Sequence, residues 1–240
     1  MPLHLAHETC SGVAPMVRPA GDILIVFVKE PRPGATKTRL IPALGPEGAA
    51  DLYRRLAAEE IRRTTPRDQE YERLFFYAPA EAEATLREWL PGETLLPQKG
   101  DDLGARMSGA FDEAFRRGAA RVAIVGTDAP FVGRDTVLEA LGALAENDLV
   151  LGPAHDGGYY LLALDRPRPE LFRGIAWSTG TVLSATVERA GTLGLTVRLI
   201  EPLRDIDTLE DLRAEWPRLE PLLARAPDLA AAVRAAFERS

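Results

Sequence analysis

The sequence of 240 residues contains a single cysteine, Cys10. One thiol excludes a disulfide framework and any metal site built from several cysteines. Histidine is also scarce, and His4, His7 and His155 do not have the spacing of histidine ligands around one metal ion. Chemistry that depends on several cysteines or histidines is therefore not expected.

Basic residues are outnumbered, since 29 Lys and Arg face 36 Asp and Glu and give a net charge of −7. A general nucleic-acid binder and a protein that docks on anionic lipid both need a basic face. We therefore expect neither nucleic acid nor a membrane among the partners.

The chain also lacks a long apolar run, and no segment approaches the ~20 apolar residues that span a bilayer. Residues 1–21 have no apolar stretch behind a basic one, as a secretory signal requires. We expect a cytoplasmic protein with a poorly ordered extension at 1–21. The apolar share of 46% is enough for one core, so residues 22–240 are predicted to form one domain, helical from about residue 218.

Two common phosphate-binding motifs are missing. G-x-G-x-x-G does not occur, which argues against a dinucleotide-binding Rossmann unit. The segment before Lys37 is not a P-loop either, because Thr36 stands where that motif has glycine.

What the sequence does show is a regular alternation of strand and helix patterns. Short apolar runs predict strands at 23–28, 73–78, 94–96, 122–125, 149–152, 159–164 and 196–200. Apolar residues at helical spacing predict helices at 47–64, 81–90, from 103 to before Gly118, at 134–145, at 181–190 and after 208. This order predicts a single α/β domain with a mostly parallel central sheet flanked by helices.

A basic loop follows the first predicted strand. Lys29, Arg32, Lys37 and Arg39 face only Glu30 there, which gives a local charge of +3. A solvated surface loop is one interpretation, but ligands in such sheets bind at the carboxyl ends of strands. We therefore favour a phosphate-binding cradle, in which arginine forks onto phosphate oxygens and lysine supplies a point charge.

Acidic residues follow two other strands, at Asp128 and at Asp205 and Asp207. Each could simply close a turn or cap a helix, since Thr208-x-x-Asp211 is nearly a capping box. Carboxylates are also the ligands that Mg²⁺ prefers beside phosphates. Two acidic strand ends and one basic loop together predict a phosphate and metal site.

Two further loops have both a functional and a plain interpretation. In the first, Gln98 could read a base edge, Gly100 could allow close approach and Arg106 could contact phosphate; otherwise the loop is an ordinary helix start capped by Asp101 or Asp102.

The second loop, Asp156-Gly157-Gly158, is either a tight turn or part of an acceptor pocket. In a pocket, Asp156 would be a hydrogen-bond acceptor or a base. If it is only a turn, Tyr159, Tyr160 and Trp177 are core residues.

The motifs taken together resemble the DUF2064 family, the rSAM/selenodomain-associated transferase 1 group, within the nucleotide-diphospho-sugar transferase (GT-A) superfamily. The resemblance extends from about residue 22 to 213. It is carried by Lys29-Glu30-Pro31-x-Pro33-Gly34-x-x-Lys37-Thr38-Arg39-Leu40, Asp102-Leu103-Gly104-x-Arg106-Met107, Gly126-Thr127-Asp128-Ala129-Pro130, Gly152-Pro153-Ala154-x-Asp156-Gly157-Gly158-Tyr159-Tyr160, Trp177-Ser178-Thr179 and Asp205-Ile206-Asp207-Thr208-x-Glu210-Asp211-Leu212.

The resemblance implies a GT-A fold with nucleotide and metal near Asp128. The first loop also looks like that of the guanylyltransferase that activates phospholactate in coenzyme F420 synthesis. In one departure, glycosyltransferases of this fold often carry Asp-x-Asp at the metal, whereas Thr127-Asp128-Ala129 has one aspartate, so Asp207 is the expected second ligand. In another, Leu209 replaces a common proline, which affects helix stability more than chemistry.

The resulting expectation is a metal-dependent glycosyltransferase that uses a nucleotide-sugar and a small-molecule acceptor, with Mg²⁺ or Mn²⁺ on Asp128 and Asp207. Asp128, Asp156 and Lys37 are the candidate catalytic residues. The candidate phosphate and nucleotide contacts are Lys29, Arg32, Lys37, Arg39, Gln98, Gly100 and Arg106, and the acceptor contacts are Gly157, Gly158, Tyr159, Trp177, Ser178 and Thr179. Nucleotidyl transfer from an NTP to a phosphorylated small molecule is nearly as well supported, and a non-catalytic nucleotide-binding protein is the alternative of another class.

Overall fold

Seven strands pair into one sheet within residues 21–239, the part of the chain that the computed structural model describes. The predicted extension therefore lies outside the described residues except for Gly21. The strands are β1 (Asp22–Lys29), β2 (Glu72–Ala78), β3 (Leu95–Pro97), β4 (Arg121–Val125), β5 (Leu149–Pro153), β6 (Tyr159–Leu164) and β7 (Val197–Leu199). All seven predicted strands are present, and no end is shifted by more than one residue.

The strand order across the sheet is β3-β2-β1-β4-β6-β5-β7. Strand β6 runs antiparallel to both β4 and β5, and the other neighbouring pairs are parallel. The predicted mixed α/β fold with a mostly parallel sheet is confirmed. Strand β1 is central and buried on both faces, which explains its unbroken apolar run from Ile23 to Val28.

Helices cover the sheet on both faces. They are α1 (Ile41–Arg63), α2 (Glu83–Trp89), α3 (Leu103–Arg116), α4 (Arg134–Ala143), α5 (Val182–Thr192), α6 (Leu209–Leu219) and α7 (Pro227–Arg239). Helix α1 starts six residues before the predicted 47, because a first helical turn precedes a break at Gly45, where φ is +71°. Within the described residues, no helix is long and apolar enough to cross a membrane.

Helices α6 and α7 build a separate apolar cluster against α1. Leu223 and Val233 are fully buried in it. The same cluster contains Leu40, just after the basic loop, and Ile206, between Asp205 and Asp207. The C-terminal helices therefore anchor two of the loops that the sequence analysis singled out.

Candidate active site

A cleft of about 920 Å³ opens at the carboxyl edge of the parallel strands. The loops after β1, β3 and β4, the start of β6 and the segment before α6 all contribute to its wall. The predicted site residues that line it are Lys29, Lys37, Arg39, Gln98, Arg106, Asp128, Asp156, Gly158, Tyr159, Trp177, Ser178, Thr179 and Asp207. Arg32 instead lines an adjoining cavity of about 370 Å³, and Gly100 and Gly157 lie in the loops behind the cleft wall.

Lys37 lies at the bottom of the cleft rather than on its rim. Its ammonium Nζ donates to Asp128 Oδ1 at 2.6 Å and to Asp207 Oδ1 at 2.8 Å, and its side chain is only 2% exposed. The backbone of Lys37 is left-handed, with φ 48° and ψ 47°. A buried non-glycine residue in this conformation is strained, and such strain is often associated with functional sites.

The charges of this cluster support one another. Burial alone would lower the pKa of Lys37, but Asp128 and Asp207 hold it above its usual range. Burial also opposes ionisation of Asp128, yet Lys37 and then Lys29 keep the pKa of that carboxyl below its ordinary value. Lys37 and Asp128 are therefore both charged at neutral pH.

Local backbone pairing brings the two acidic loops together. The amide of Ile206 donates to the carbonyl of Asp128 at 2.9 Å, which fixes the loop after β4 beside the segment before α6. Thr208 and Asp211 form the capping box that the sequence suggested. Because Asp211 performs the capping, the carboxylates of Asp205 and Asp207 remain at the cleft.

The surroundings of Asp205 disfavour its ionised form. Its Oδ1 is buried and has no hydrogen-bond partner among the described residues. Burial, and then the charges of Asp128, Asp156 and Asp207, raise the pKa of Asp205 to about 7. An unpaired acceptor beside two carboxylates is suited to an additional cation or proton.

A divalent ion fits this donor set only in part. Asp128 and Asp207 offer the hard oxygen ligands that Mg²⁺ and Mn²⁺ prefer. Across residues 21–239, however, no group of three or more His, Cys, Asp or Glu side chains is arranged to hold a metal ion. An ion at these carboxylates would take its remaining ligands from water and from the phosphates of a substrate, as Mg²⁺ commonly does.

Helix α1 supplies a supporting layer that the sequence analysis missed. Tyr53 Oη accepts from the amide of Lys29 and shares a hydrogen bond with Thr127 Oγ1, both at 2.8 Å. Glu60, 1% exposed, accepts from the amide of Ala129 at 3.2 Å, and burial followed by the charge of Asp128 raises its pKa well above the usual range. Both residues lie on the buried face of α1, which was predicted as an amphipathic helix. A carboxylate on that apolar face, Glu60, is the sequence feature that could have indicated this supporting layer.

The other basic residues line the rim. Lys29 and Arg39 are exposed at the cleft, and Arg106 Nε donates to the carbonyl of Gly100 at 3.0 Å. The Arg32 side chain is 54% exposed beside Glu30. The basic loop therefore divides into one buried lysine at the acidic cluster and several cations that face solvent, where an anion could reach them.

The loop before α3 combines the two interpretations given above. Asp102 caps the helix by accepting from the amide of Ala105 at 2.7 Å. Gln98 Nε2 donates to the carbonyl of Phe76 at 3.0 Å, which orients the side-chain amide at the cleft. Gly100 has φ +135°, and a Cβ there would lie 2.8 Å from the amide of Arg106. The loop is an ordinary helix start that also forms part of the wall.

The loop after β5 is a tight turn, and its side chains still reach the cleft. Asp156 Oδ1 accepts from the amide of Gly158 at 2.8 Å. Gly157 has φ +88°, and a Cβ on it would lie 2.0 Å from the carbonyl oxygen of Gly180. Only glycine fits where this turn meets the segment before α5.

The opposite wall is formed by Trp177, Ser178 and Thr179. A Cβ on Gly104 would lie 2.5 Å from the indole of Trp177, so α3 and this wall touch through a glycine. Ser178 is left-handed, with φ 63°. Tyr159 also lines this wall, and its Oη is buried near the hydroxyl of Thr186.

The chain is similar to a known protein family and to a curated protein. Residues 61–179 match the family model described as "Uncharacterized protein conserved in bacteria (DUF2064)". A phosphoenolpyruvate guanylyltransferase from Chloroflexus aggregans is 31% identical over 185 residues, which are 74% of this chain and 89% of that protein.

Solved structures have the same fold. The crystal structure of a "putative nucleotide-diphospho-sugar transferase" from Desulfovibrio desulfuricans G20 is 32% identical, with a TM-score of 0.82 over 92% of this chain and 98% of that chain. A manganese complex of Rv0371C from Mycobacterium tuberculosis H37Rv is 15% identical, with a TM-score of 0.51 over 82% and 98% of the two chains. At that identity the second match is evidence of the fold alone.

Proposed function

The chain belongs to the DUF2064 family and is a transferase, and we propose that it transfers a nucleoside monophosphate from an NTP to a small phosphorylated acid. The observation that carries this proposal is the buried Lys37–Asp128–Asp207 cluster at the bottom of a cleft rimmed by Lys29 and Arg39. A triphosphate needs cations along its whole length, and this cleft has them at its floor and its rim.

The reaction needs one displacement at phosphorus. A phosphate oxygen of the acceptor forms a bond to the α-phosphorus, and the bond from that phosphorus to the bridging oxygen breaks, so pyrophosphate leaves. Negative charge grows on the phosphates during this step, and fixed cations stabilise it. Lys37, Lys29 and Arg39 are the residues we assign to that role, and the leaving pyrophosphate would lie beside them.

Asp128 and Asp207 would hold a Mg²⁺ or Mn²⁺ ion, with the buried oxygen of Asp205 behind them. When bound, such an ion supplies positive charge to the phosphates during the displacement. Before an ion binds, Lys37 holds the loops that carry Asp128 and Asp207 together.

The acceptor side of the cleft fits a nucleophile that is already anionic. A phosphate oxygen is ionised at neutral pH, so the reaction needs no general base. Asp156 is engaged with the amide of Gly158, an arrangement that suits a positioning role better than proton abstraction. The amides of the Ser178–Thr179 segment and Tyr159 Oη would contact the acceptor.

Guanylyl transfer to phosphoenolpyruvate is the first specific reaction to test, because the Chloroflexus aggregans relative bears that name and shares 31% identity. Purified protein would be incubated with GTP, ATP, CTP or UTP, an acceptor acid and Mg²⁺ or Mn²⁺, and pyrophosphate release would be followed. We expect release with one NTP and one acceptor only. D207N should abolish release, whereas D112N, an exposed carboxylate on α3, should not.

Glycosyl transfer is the second candidate function, favoured by the Desulfovibrio desulfuricans relative at 32% identity and TM-score 0.82. Release of a nucleoside diphosphate from a nucleotide-sugar, with no pyrophosphate from any NTP, would select it over the first. Nucleotide binding that is unchanged in D128A and occurs without any turnover would instead identify a binding protein. Both transfer reactions use cytoplasmic nucleotides, so we place the protein in the cytoplasm.

A further inference from the structure

Lys37 stands in the place that a divalent ion would need. Its Nζ is within 2.8 Å of a carboxylate oxygen on each of Asp128 and Asp207, and its side chain is almost inaccessible to solvent. The two carboxylates come from loops 79 residues apart, after β4 and before α6. One ammonium therefore does what a bridging cation does, since it joins two negative groups that would otherwise repel each other.

The position of Lys37 is fixed by the fold around it. The preceding Thr36 is buried and donates to the carbonyl of Arg32 at 2.8 Å, which closes the loop. The following Leu40 is fully buried in the cluster formed by α6 and α7. Between these anchors, the left-handed backbone of Lys37 directs a long side chain into the acidic cluster rather than into solvent.

The charge of Lys37 determines whether a divalent ion can bind at Asp128 and Asp207. With Lys37 in place the cluster carries a single net negative charge. A divalent ion that entered alone would lie a few ångströms from the buried ammonium, and repulsion between the two cations would oppose its binding. A nucleotide triphosphate brings several negative oxygens with the ion, so the ion and Lys37 then share enough anionic ligands.

From this geometry we propose that Lys37 is a built-in competitor of the metal, which makes binding of the ion conditional on the nucleotide. Without nucleotide, Lys37 bridges Asp128 and Asp207. When nucleotide and ion arrive together, the ion takes the carboxylates and the ammonium turns to the phosphates. Lys37 thus couples two binding events, and this inference rests on the proposed use of an NTP.

Metal binding without nucleotide is the direct test. Mn²⁺ would be titrated into the wild type, K37M and K37Q, and the free ion would be followed by electron paramagnetic resonance. We expect weak binding to the wild type alone and tighter binding when a non-hydrolysable GTP analogue is added. Both lysine variants should bind Mn²⁺ without nucleotide about tenfold or more tightly than the wild type, since the repelling charge is gone.

Controls separate this effect from general changes of charge. R225M removes an exposed cation that does not line the cleft and should leave Mn²⁺ binding as in the wild type. The double variant K37M/D207N should lose the gained binding. If a lysine variant is unstable, Mn²⁺ alone should raise its melting temperature, whereas it should not raise that of the wild type.

The inference is overturned if K37M and K37Q bind Mn²⁺ no better than the wild type, or if the wild type binds the ion equally well with and without the analogue. These measurements involve no turnover. Failure of the proposed function is detected separately, as the absence of pyrophosphate release by the wild type with every NTP.

Discussion

Asp128 is electrostatically coupled to several charged groups around the cleft. Lys37 and Lys29 favour its ionised form, while its charge raises the pKa values of Glu60 and Asp205. Its side chain is 32% exposed, so it is not a core group. Its removal therefore affects the charges of the cleft more than the packing.

For D128N we expect turnover to fall about 100-fold or more, because a carboxylate that would hold the divalent ion beside the phosphates is lost. The free energy of unfolding should change by about 1 kcal/mol or less, since Lys37 keeps Asp207 as a partner and repulsion on Asp205 and Glu60 is relieved. Pyrophosphate release and urea unfolding without metal would be measured. A collapse of stability with residual activity would make Asp128 a structural residue.

At the scale of single elements, glycines control how the loops meet. Gly157 → Ala should destabilise the protein by about 1–3 kcal/mol, because the new Cβ would overlap the carbonyl of Gly180 and φ is +88°. It should also raise the KM for the acceptor more than the KM for the NTP. Thermal unfolding and steady-state kinetics would test both expectations.

The matched control is Gly142 → Ala in α4. A Cβ there meets nothing within 4 Å. Alanine in a helix should stabilise by about 0.5–1 kcal/mol. Equal losses of stability in the two variants would show that the contact with Gly180 is not the cause.

The carboxylate of Asp148, the residue just before β5, connects the start of that strand to the start of β7. Asp148 accepts from the amide and hydroxyl of Thr196 at 2.9 and 2.8 Å and from Arg168 Nη2 at 2.6 Å. These bonds, the Thr196 amide first, hold the pKa of Asp148 below its ordinary value. The native state thus binds this proton less readily than the unfolded state, so the stabilisation exists above the unfolded pKa and is lost as pH falls through the native one.

D148N should therefore lower the free energy of unfolding by about 1–3 kcal/mol at pH 7. The difference from the wild type should shrink once the pH falls below about 4, where the unfolded carboxyl is protonated. Urea unfolding at a series of pH values would measure this, with D112N as the exposed control. A difference that stays constant with pH would mean that the charge of Asp148 does not contribute.

The strands and helices were the most predictable features of this molecule. Apolar runs and helical spacing located the strands and helices, since burial imposes those periods directly. The early start of α1 was missed because Gly45 breaks the apolar pattern between two helical stretches. The site was predictable as a set of strand ends, but the pairing of Lys37 with Asp128 and Asp207 was not, because it depends on a left-handed backbone and on partners 91 and 170 residues away.

At the scale of the whole molecule, the C-terminal helices support the cleft from behind. Leu223, Leu40 and Ile206 belong to one buried cluster, and the last two residues border the basic loop and the acidic loop. Leu223 lies more than 15 residues beyond the acidic loop, and its packing against Leu40 and Ile206 helps to set the geometry of the Lys37 cluster.

L223A should cost about 2–5 kcal/mol of stability, since it opens a cavity at a fully buried position. Turnover should also fall at temperatures where the variant is still folded, because both loops lose their anchor. L193A, at a 37% exposed position, should change stability by about 0.5 kcal/mol or less. Full activity in folded L223A would show that the loops are held without this cluster.

The reversed direction of β6 has a consequence for how such an enzyme diversifies. Strands β3, β2, β1 and β4 lie on one side of this strand and present the loops assigned to the nucleotide, whereas the turn from β5 into β6 and the segment from β6 to α5 present those assigned to the acceptor. Asp207, which follows β7, belongs to the assigned metal site. Substitutions within residues 156–179 can therefore alter the choice of acceptor while the loops assigned to the nucleotide stay intact. Enzymes that descend from one ancestor would then differ in the acceptor that they use before they differ in the nucleotide.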